Sequence, residues 1–190
     1  RLAARLDAAV SDLACDVAVV GGSLAGSAAA GALARGGASV VVLEKATFPR
    51  PKICGSFLSA EADPVLERLG ALDEIRLAKA ETITRFALVR SDGRRPEADL
   101  PAPVLSMSRA RLDSLAAAAA ERRGARLRSG VTVLSFEGDL RAGFRVKTSG
   151  EEIVVRVLLG AWGRYSPLDG RLARPFFRRE PSLFGFGKQL

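Results

Sequence analysis

The sequence predicts an α/β fold organised around a parallel sheet, and three observations support it. Two short, largely β-branched runs, Asp16 to Val20 and Ser39 to Leu43, are as apolar as strands buried on both faces must be. Between them Leu24 to Arg35 reads as a helix that ends at Gly36-Gly37, a helix-stop signal. Strand, helix and strand within about 30 residues form a crossover unit, whose strands are parallel and whose hand is nearly always right.

The remaining elements follow in order. Residues 1–13 have helical spacing of Leu and Ala and read as a peripheral extension. Thr47 to Phe57, TFPRPKICGSF, is a loop punctuated by proline. Ser59 starts a helix running through Leu69, with Glu61 in its first turn and Gly70 as its stop. Thr82 to Arg90 and Glu97 to Leu100 flank the turn SDGRRP and predict an antiparallel hairpin. SMSRARLDSLAAAAAERRG predicts a second long helix capped by Ser106 or Ser108. Short strands follow at Ala125–Leu127, Val131–Glu137, Phe144–Thr148 and Ile153–Leu159, and no internal repeat is present.

Composition narrows the chemistry. With 48% hydrophobic and 26% charged residues over 190 positions, the chain has the makings of a folded core. It has no apolar run near the ~20 residues that span a bilayer, and acids interrupt its first segment, so the expectation is a cytoplasmic protein without a membrane span. Cys15 and Cys54 are the only cysteines and histidine is absent, which rules out a disulfide framework, the usual zinc ligand sets and histidine catalysis. A net charge of +8 and bunched arginines in ERRGARLR and RPFFRRE would attract polyanions. No interleaved aromatics or binding motif accompany them, so a solvated Arg-rich surface is favoured and no nucleic-acid partner is expected.

The turn after the first strand, Gly21-Gly22-Ser23-Leu24-Ala25-Gly26, approximates G-x-G-x-x-G. In that pattern the first glycine makes a tight turn, the second lets backbone approach a pyrophosphate, and the third lets the helix sit close on the strand. Ser23 stands where the second glycine belongs; Gly22 beside it and its own hydroxyl remain able to serve a phosphate, aided by the positive end of the helix. Glu44 lies about 20 residues further on, at the end of the second strand, where an acid accepts hydrogen bonds from adenosine ribose hydroxyls. Together these features predict a Rossmann-like FAD/NAD(P)-binding domain with a parallel sheet and antiparallel β-hairpin insertions. For Glu44 taken alone, the competing reading is a solvated strand end.

The segment FPRPKICGSFLSAEADPVLERLG resembles the loop and helix after the ribose-binding acid in the geranylgeranyl-reductase-like branch of FAD-dependent oxidoreductases, relatives of aromatic-ring hydroxylases and flavin halogenases. SMSRARLDSLAAAAAERRGA is similar to that family's R-x-x-L-D-x-x-L helix, and LLGAWGRYSPLD to its G-A-D-G-x-x-S turn. The resemblance implies FAD as cofactor, with Gly21, Ala25 and Gly26 at the pyrophosphate and Glu44 and Lys45 framing the ribose. It also implies Cys54 and Gly55 near the flavin, Arg109 contacting FAD from its helix start, and Val133 packing at the adenine through its backbone.

From the residues alone, Cys54 reads as a small packing residue more than a redox thiol, because no CxxC and no base accompany it. Trp162 replaces the family's acid in GAWGRYS, which weakens the expectation of reduction by NAD(P)H; its other reading is an aromatic packing residue. The resemblance divides the chain into a cofactor domain, 14–80 with 104–166, and a partial substrate domain, 81–103 with 167–190. It makes the sequence look like the N-terminal half of a flavoprotein, a monooxygenase or a reductase of carbon–carbon double bonds, that binds FAD weakly if at all alone and acts on a small, apolar or aromatic substrate. The competing classes are a non-catalytic NAD-binding module and a basic polyanion-binding accessory protein.

Overall fold

The computed structural model describes residues 15–54, 56–164 and 166–172, so the expected helical extension and the chain beyond 172 lie outside the described residues. The crossover forms as expected: β1 (Cys15–Val20), α1 (Leu24–Arg35) and β2 (Val40–Glu44). Strand β1 pairs in parallel with β2 and, on its other side, with β9 (Glu152–Gly160); β6 (Arg126–Ser129) extends the parallel part beyond β2. Antiparallel β7 (Val133–Asp139) and β8 (Gly143–Thr148) complete a six-stranded sheet in the order β6-β2-β1-β9-β8-β7.

The apolar runs of β1 and β2 are unbroken because both faces are covered. Val17, Val19, Val40 and Val42 pack on one side with Ala30 of α1 and Ala120 of α4 (Arg109–Arg122). Ala18, Val20, Val41 and Leu43 pack on the other with Val133, Val146 and Val155, so the antiparallel strands supply the second cover. Leu168, in a 3-10 turn at Pro167–Leu172, belongs to this same cluster.

A second, three-stranded sheet has the order β3-β5-β4, with β3 (Phe57–Leu58), β4 (Glu81–Ala87) and β5 (Glu97–Ser106) antiparallel. Strand β5 runs well past Leu100, through Pro101 and Pro103. Those prolines fall where the β4–β5 register shifts and where two-residue β3 does not reach, so their missing N–H groups cost no ladder bond. Phe86, Leu88 and Phe57 of this unit remain half or more exposed.

The helix expected from Ser59 to Leu69 divides into a 3-10 turn, Ala60–Ala62, and α2 (Asp63–Leu69). Pro64 has no N–H to donate to the Ala60 carbonyl, so an α ladder cannot run across it. Gly70 closes α2 in the left-handed conformation, φ 73°. A helix without a sequence signal, α3 (Leu72–Leu77), follows at once; buried Leu72 and Ile75 hold it against α2 and α4. Among the described residues no helix is long and apolar enough to cross a membrane.

Candidate functional site

The site is built where β1 and β2 end. Gly21 has φ +103°, and a Cβ there would lie 2.5 Å from the Ala161 carbonyl oxygen, so the first turn requires glycine for both conformation and space. A Cβ on Gly26 would lie 1.8 Å from the Gly21 carbonyl oxygen; the helix is seated on the turn at a distance only glycine permits. Gly26→Ala is therefore expected to lift α1 off β1, costing about 1–3 kcal/mol by overpacking, which a Tm several degrees below wild type in a thermal melt would register. Ser27 locks the turn by donating its hydroxyl to the Gly22 carbonyl at 2.9 Å. The start of α1 has no side-chain cap and no acid in its first turn, leaving its N–H groups and positive dipole end for an anion.

Glu44 is 4% exposed, which overturns the solvated-strand-end reading. Its carboxylate accepts the Gly22 N–H at 2.8 Å and the Ala46 N–H at 3.0 Å, and Arg50 Nη2 lies 3.4 Å away. The acid thus ties the end of β2 to the glycine turn, and two carboxylate oxygens with about four lone-pair sites retain capacity for further donors.

Beside the turn lies a charged cluster that the sequence did not announce. Asp113 of α4 is fully buried and accepts from Ser23 Oγ at 2.9 Å, Arg109 Nε at 3.0 Å and Arg109 Nη2 at 3.2 Å, with Arg50 Nη1 at 3.4 Å. Arg109 Nη2 also donates to Ser23 Oγ at 2.7 Å, and Lys52 Nζ does so at 3.4 Å. A buried carboxylate is tolerable only when paired and hydrogen-bonded, and here every partner is charged or a hydroxyl. Burial pushes the Lys52 ammonium down, and the neighbouring Arg109 and Arg50 charges push it further. Three cations crowd two carboxylates, so a bound anion relieves their mutual repulsion. Arg50 Nε is buried with no partner among the described residues, an orphaned donor at the same place.

Of these groups Ser23, Glu44, Arg50 and Lys52 open on a cavity of about 750 Å³, within the range of small-molecule sites, whereas Asp113 and the expected FAD contact Arg109 do not line it. Gly21, Ser23, Glu44, Arg50 and Lys52 line its polar part; Val131, Val133, Leu134, Trp162 and Leu168 line its apolar part. The segment between β6 and β7 is drawn across the strand ends by the Val131 N–H, which donates to the Glu44 carbonyl at 3.0 Å. Polar cradle, buried acid and apolar wall in that order suit a nucleoside diphosphate.

Comparison with known proteins decides which. A family model described as FAD binding domain matches residues 14–183. The chain belongs to the FAD-binding domain family. Its cofactor is FAD. A menaquinone reductase of Mycobacterium tuberculosis is 36% identical over 177 residues, 88% of this chain and 42% of the relative, so the chain spans about two fifths of that relative's length. The myxobacterial chondrochloren halogenase superposes with a TM-score of 0.70 at 26% identity, over 82% of this chain and 39% of the halogenase. Aklavinone-11 hydroxylase, solved with FAD and aklavinone, gives a TM-score of 0.70 at 25% identity, over 84% of this chain and 35% of the hydroxylase.

The residues present fit FAD: a Cβ-free turn, an uncapped helix start, an orphaned guanidinium donor and a buried acid hydrogen-bonded to the turn. The structure brings Gly21, Ser23, Glu44, Lys45 and Val133 together on the cavity wall. Gly26 is buried in the packing of α1 on the turn and Ala25 is exposed at the helix start; neither lines the cavity. The Ser23 hydroxyl gives its proton to Asp113, so it holds the cluster together and is not left as a free phosphate donor. Arg109 starts α4 as expected, where the Ser108 hydroxyl caps the helix by accepting from the Arg111 N–H.

Cys54 is exposed, away from the cavity lining; burial pushes its thiol up, but hydrogen bonds with the Ser56 backbone and Arg109 outweigh this and hold it below the usual thiol range. Gly55 lies outside the described residues. Sequence reasoning missed Asp113, Arg50 and Lys52 as site residues. The available signal was the acid inside the R-x-x-L-D helix, one turn after Arg109: an aspartate on the buried face of an Ala-rich helix needs cationic partners.

Proposed function

We propose that this chain is the cofactor-binding part of a flavin-dependent oxidoreductase of the geranylgeranyl-reductase-like branch, acting on a small apolar or aromatic molecule. The observation that carries it is the buried Glu44 carboxylate, hydrogen-bonded to the glycine turn at the head of the cavity. Bound FAD supplies hydride chemistry, and the protein positions it and excludes water. In this reading Glu44 accepts the ribose hydroxyls, and Gly21 and the start of α1 approach the diphosphate. Arg50, Lys52 and Arg109 neutralise the diphosphate, and the Val133 backbone meets the adenine.

In this reading residues 14–80 and 104–166 form the cofactor domain, and the β4–β5 hairpin, whose Phe86 and Leu88 are exposed, belongs to the substrate domain. Reductase chemistry is favoured over monooxygenation, because the menaquinone reductase is more similar in sequence than the hydroxylase or the halogenase. The purified chain is expected to bind added FAD weakly, seen as a saturable change in the flavin absorbance band in the blue during an equilibrium titration. A flavin spectrum that shows no saturable change as protein is added overturns the proposal.

A further inference from the structure

Every residue of the β4–β5 hairpin from Thr84 to Pro103 except Leu100 is exposed, and none joins a core cluster, so the outer part of the hairpin stands clear of the body. Its register sorts the side chains. Phe86 lies opposite Ala98, and Leu88, two residues on, shares that side, with its N–H donating to the Pro96 carbonyl at 3.0 Å. Arg85 lies opposite Asp99 and Ala87 opposite Glu97 on the other side, where Arg85 pairs with Glu97 at 3.0 Å and with Asp99 at 3.4 Å. One side is therefore apolar and the other is a ladder of paired charges.

The tip differs from both. Arg90, Arg94 and Arg95 surround a single acid, Asp92, and the Arg90 N–H donates to the Arg94 carbonyl at 2.9 Å, which closes the turn. The Arg94 side chain is 80% exposed where that of Asp92 is 41%. Glu97 and Asp99 sit further down the ladder, so the positive excess of the hairpin gathers at its end. Leu88 and Val89 adjoin this turn, 61% and 73% exposed, with Phe86 behind them.

An apolar tip ringed by arginines matches a lipid surface. Acyl chains take up Phe, Leu and Val side chains, while arginine stems lie along the boundary and their guanidinium groups reach lipid phosphates. A protein partner would need a carboxylate opposite each arginine, whereas an anionic leaflet supplies negative charge wherever the tip lands. The chain's net charge of +8 draws it toward such a surface from a distance. We propose that the tip of the β4–β5 hairpin, residues 86–96, docks this chain on a bilayer surface bearing anionic headgroups, as a peripheral contact. The FAD reading is not needed for this, because the hairpin lines no part of the cavity.

The test is sedimentation of the full chain with vesicles of phosphatidylcholine alone and of phosphatidylcholine mixed with phosphatidylglycerol. The chain is expected to sediment with the mixed vesicles only and to be released as salt rises. Leu88→Ser with Val89→Ser leaves the charge unchanged and should weaken vesicle binding roughly 10- to 100-fold. Arg94→Gln with Arg95→Gln should weaken it about 10- to 30-fold. Arg141→Gln with Arg156→Gln removes the same charge from exposed positions on the six-stranded sheet and should cost no more than about threefold. Circular dichroism checks that each variant is folded.

A second measurement reads the tip itself: Ser91→Cys in a Cys54→Ser background, where the remaining Cys15 is buried, carries an environment-sensitive nitrobenzoxadiazole label. Its emission should rise and shift to the blue on the mixed vesicles. An unchanged emission while the chain sediments overturns the inference, as does a remote arginine pair that weakens binding as much as the hairpin pair, since attraction is then a property of total charge. A wild-type chain that ignores vesicles also overturns it; if that chain is dimeric by ultracentrifugation and Leu88→Ser with Val89→Ser makes it monomeric, the face belongs to a second copy.

Discussion

Glu44→Lys is expected to abolish FAD uptake. The wild-type carboxylate receives two backbone N–H groups and faces the Arg50 guanidinium, all inside 3.4 Å. Lysine at this position presents further donors to donors, leaves the Gly22 and Ala46 N–H groups without an acceptor, and sets a cation against Arg50. An unsatisfied buried donor costs about 1–3 kcal/mol and an uncompensated buried charge more, so affinity should fall by at least about 100-fold. Glu44→Gln keeps the volume and one acceptor oxygen, and should lose roughly tenfold. An equilibrium titration with FAD followed by visible absorbance gives the affinity, with circular dichroism confirming that each variant is folded. A glutamine variant that binds like wild type would remove the sugar-tethering role of this residue. For a basic polyanion-binding protein, by contrast, the lysine variant would keep its heparin affinity.

Asp113→Ala should produce the largest loss of stability. The side chain is fully buried and neutralises Arg109, Arg50 and the dipole of Ser23 at once. Removing one partner of a buried ion pair costs about 3–5 kcal/mol, because the remaining charges stay desolvated. Arg109 and Arg50 are 14% and 16% exposed, so water offsets only a small part of this. Against a total stability of about 5–15 kcal/mol, the loss corresponds to a Tm lower by roughly 6–20 °C. The same variant frees Arg109 and Arg50 from their tether, so FAD affinity should drop with it. Asp113→Asn, which retains one acceptor oxygen, is expected to fall between alanine and wild type in thermal melts. A Tm for the alanine variant within a degree of wild type would show that the cluster holds nothing in place.

The parts legible in the sequence are those set by short-range patterning. Val17 to Val20 and Val40 to Leu43 announce a doubly covered sheet because their apolar runs are unbroken, and Leu24 to Arg35 announces its helix through the glycines on both sides. Glu44 was placed by its distance from Gly21, since a crossover unit has a nearly constant length. Other features were hidden because their causes are distant. The continuation of β5 through Pro101 and Pro103 depends on which neighbour it lacks, and α3 exists because Leu72 and Ile75 find a core made by other segments.

Ser23 shows the division most clearly. As a letter in a glycine pattern it is a defect at the phosphate position, crowding the approach of a ligand. In the folded protein its hydroxyl bridges Asp113, Arg109 and Lys52, residues that lie from 29 to 90 positions away in the chain. By itself the sequence determined the crossover, the glycine turn and the acid that faces it, because hydrophobic period and backbone sterics act over a few residues. Only the tertiary structure decided which charges meet at that turn and that Trp162 stands over the cavity beside them. Electrostatic pairing and ring contact depend on distance in space, and packing α4 on α1 and pairing β9 with β1 is what brought those residues near.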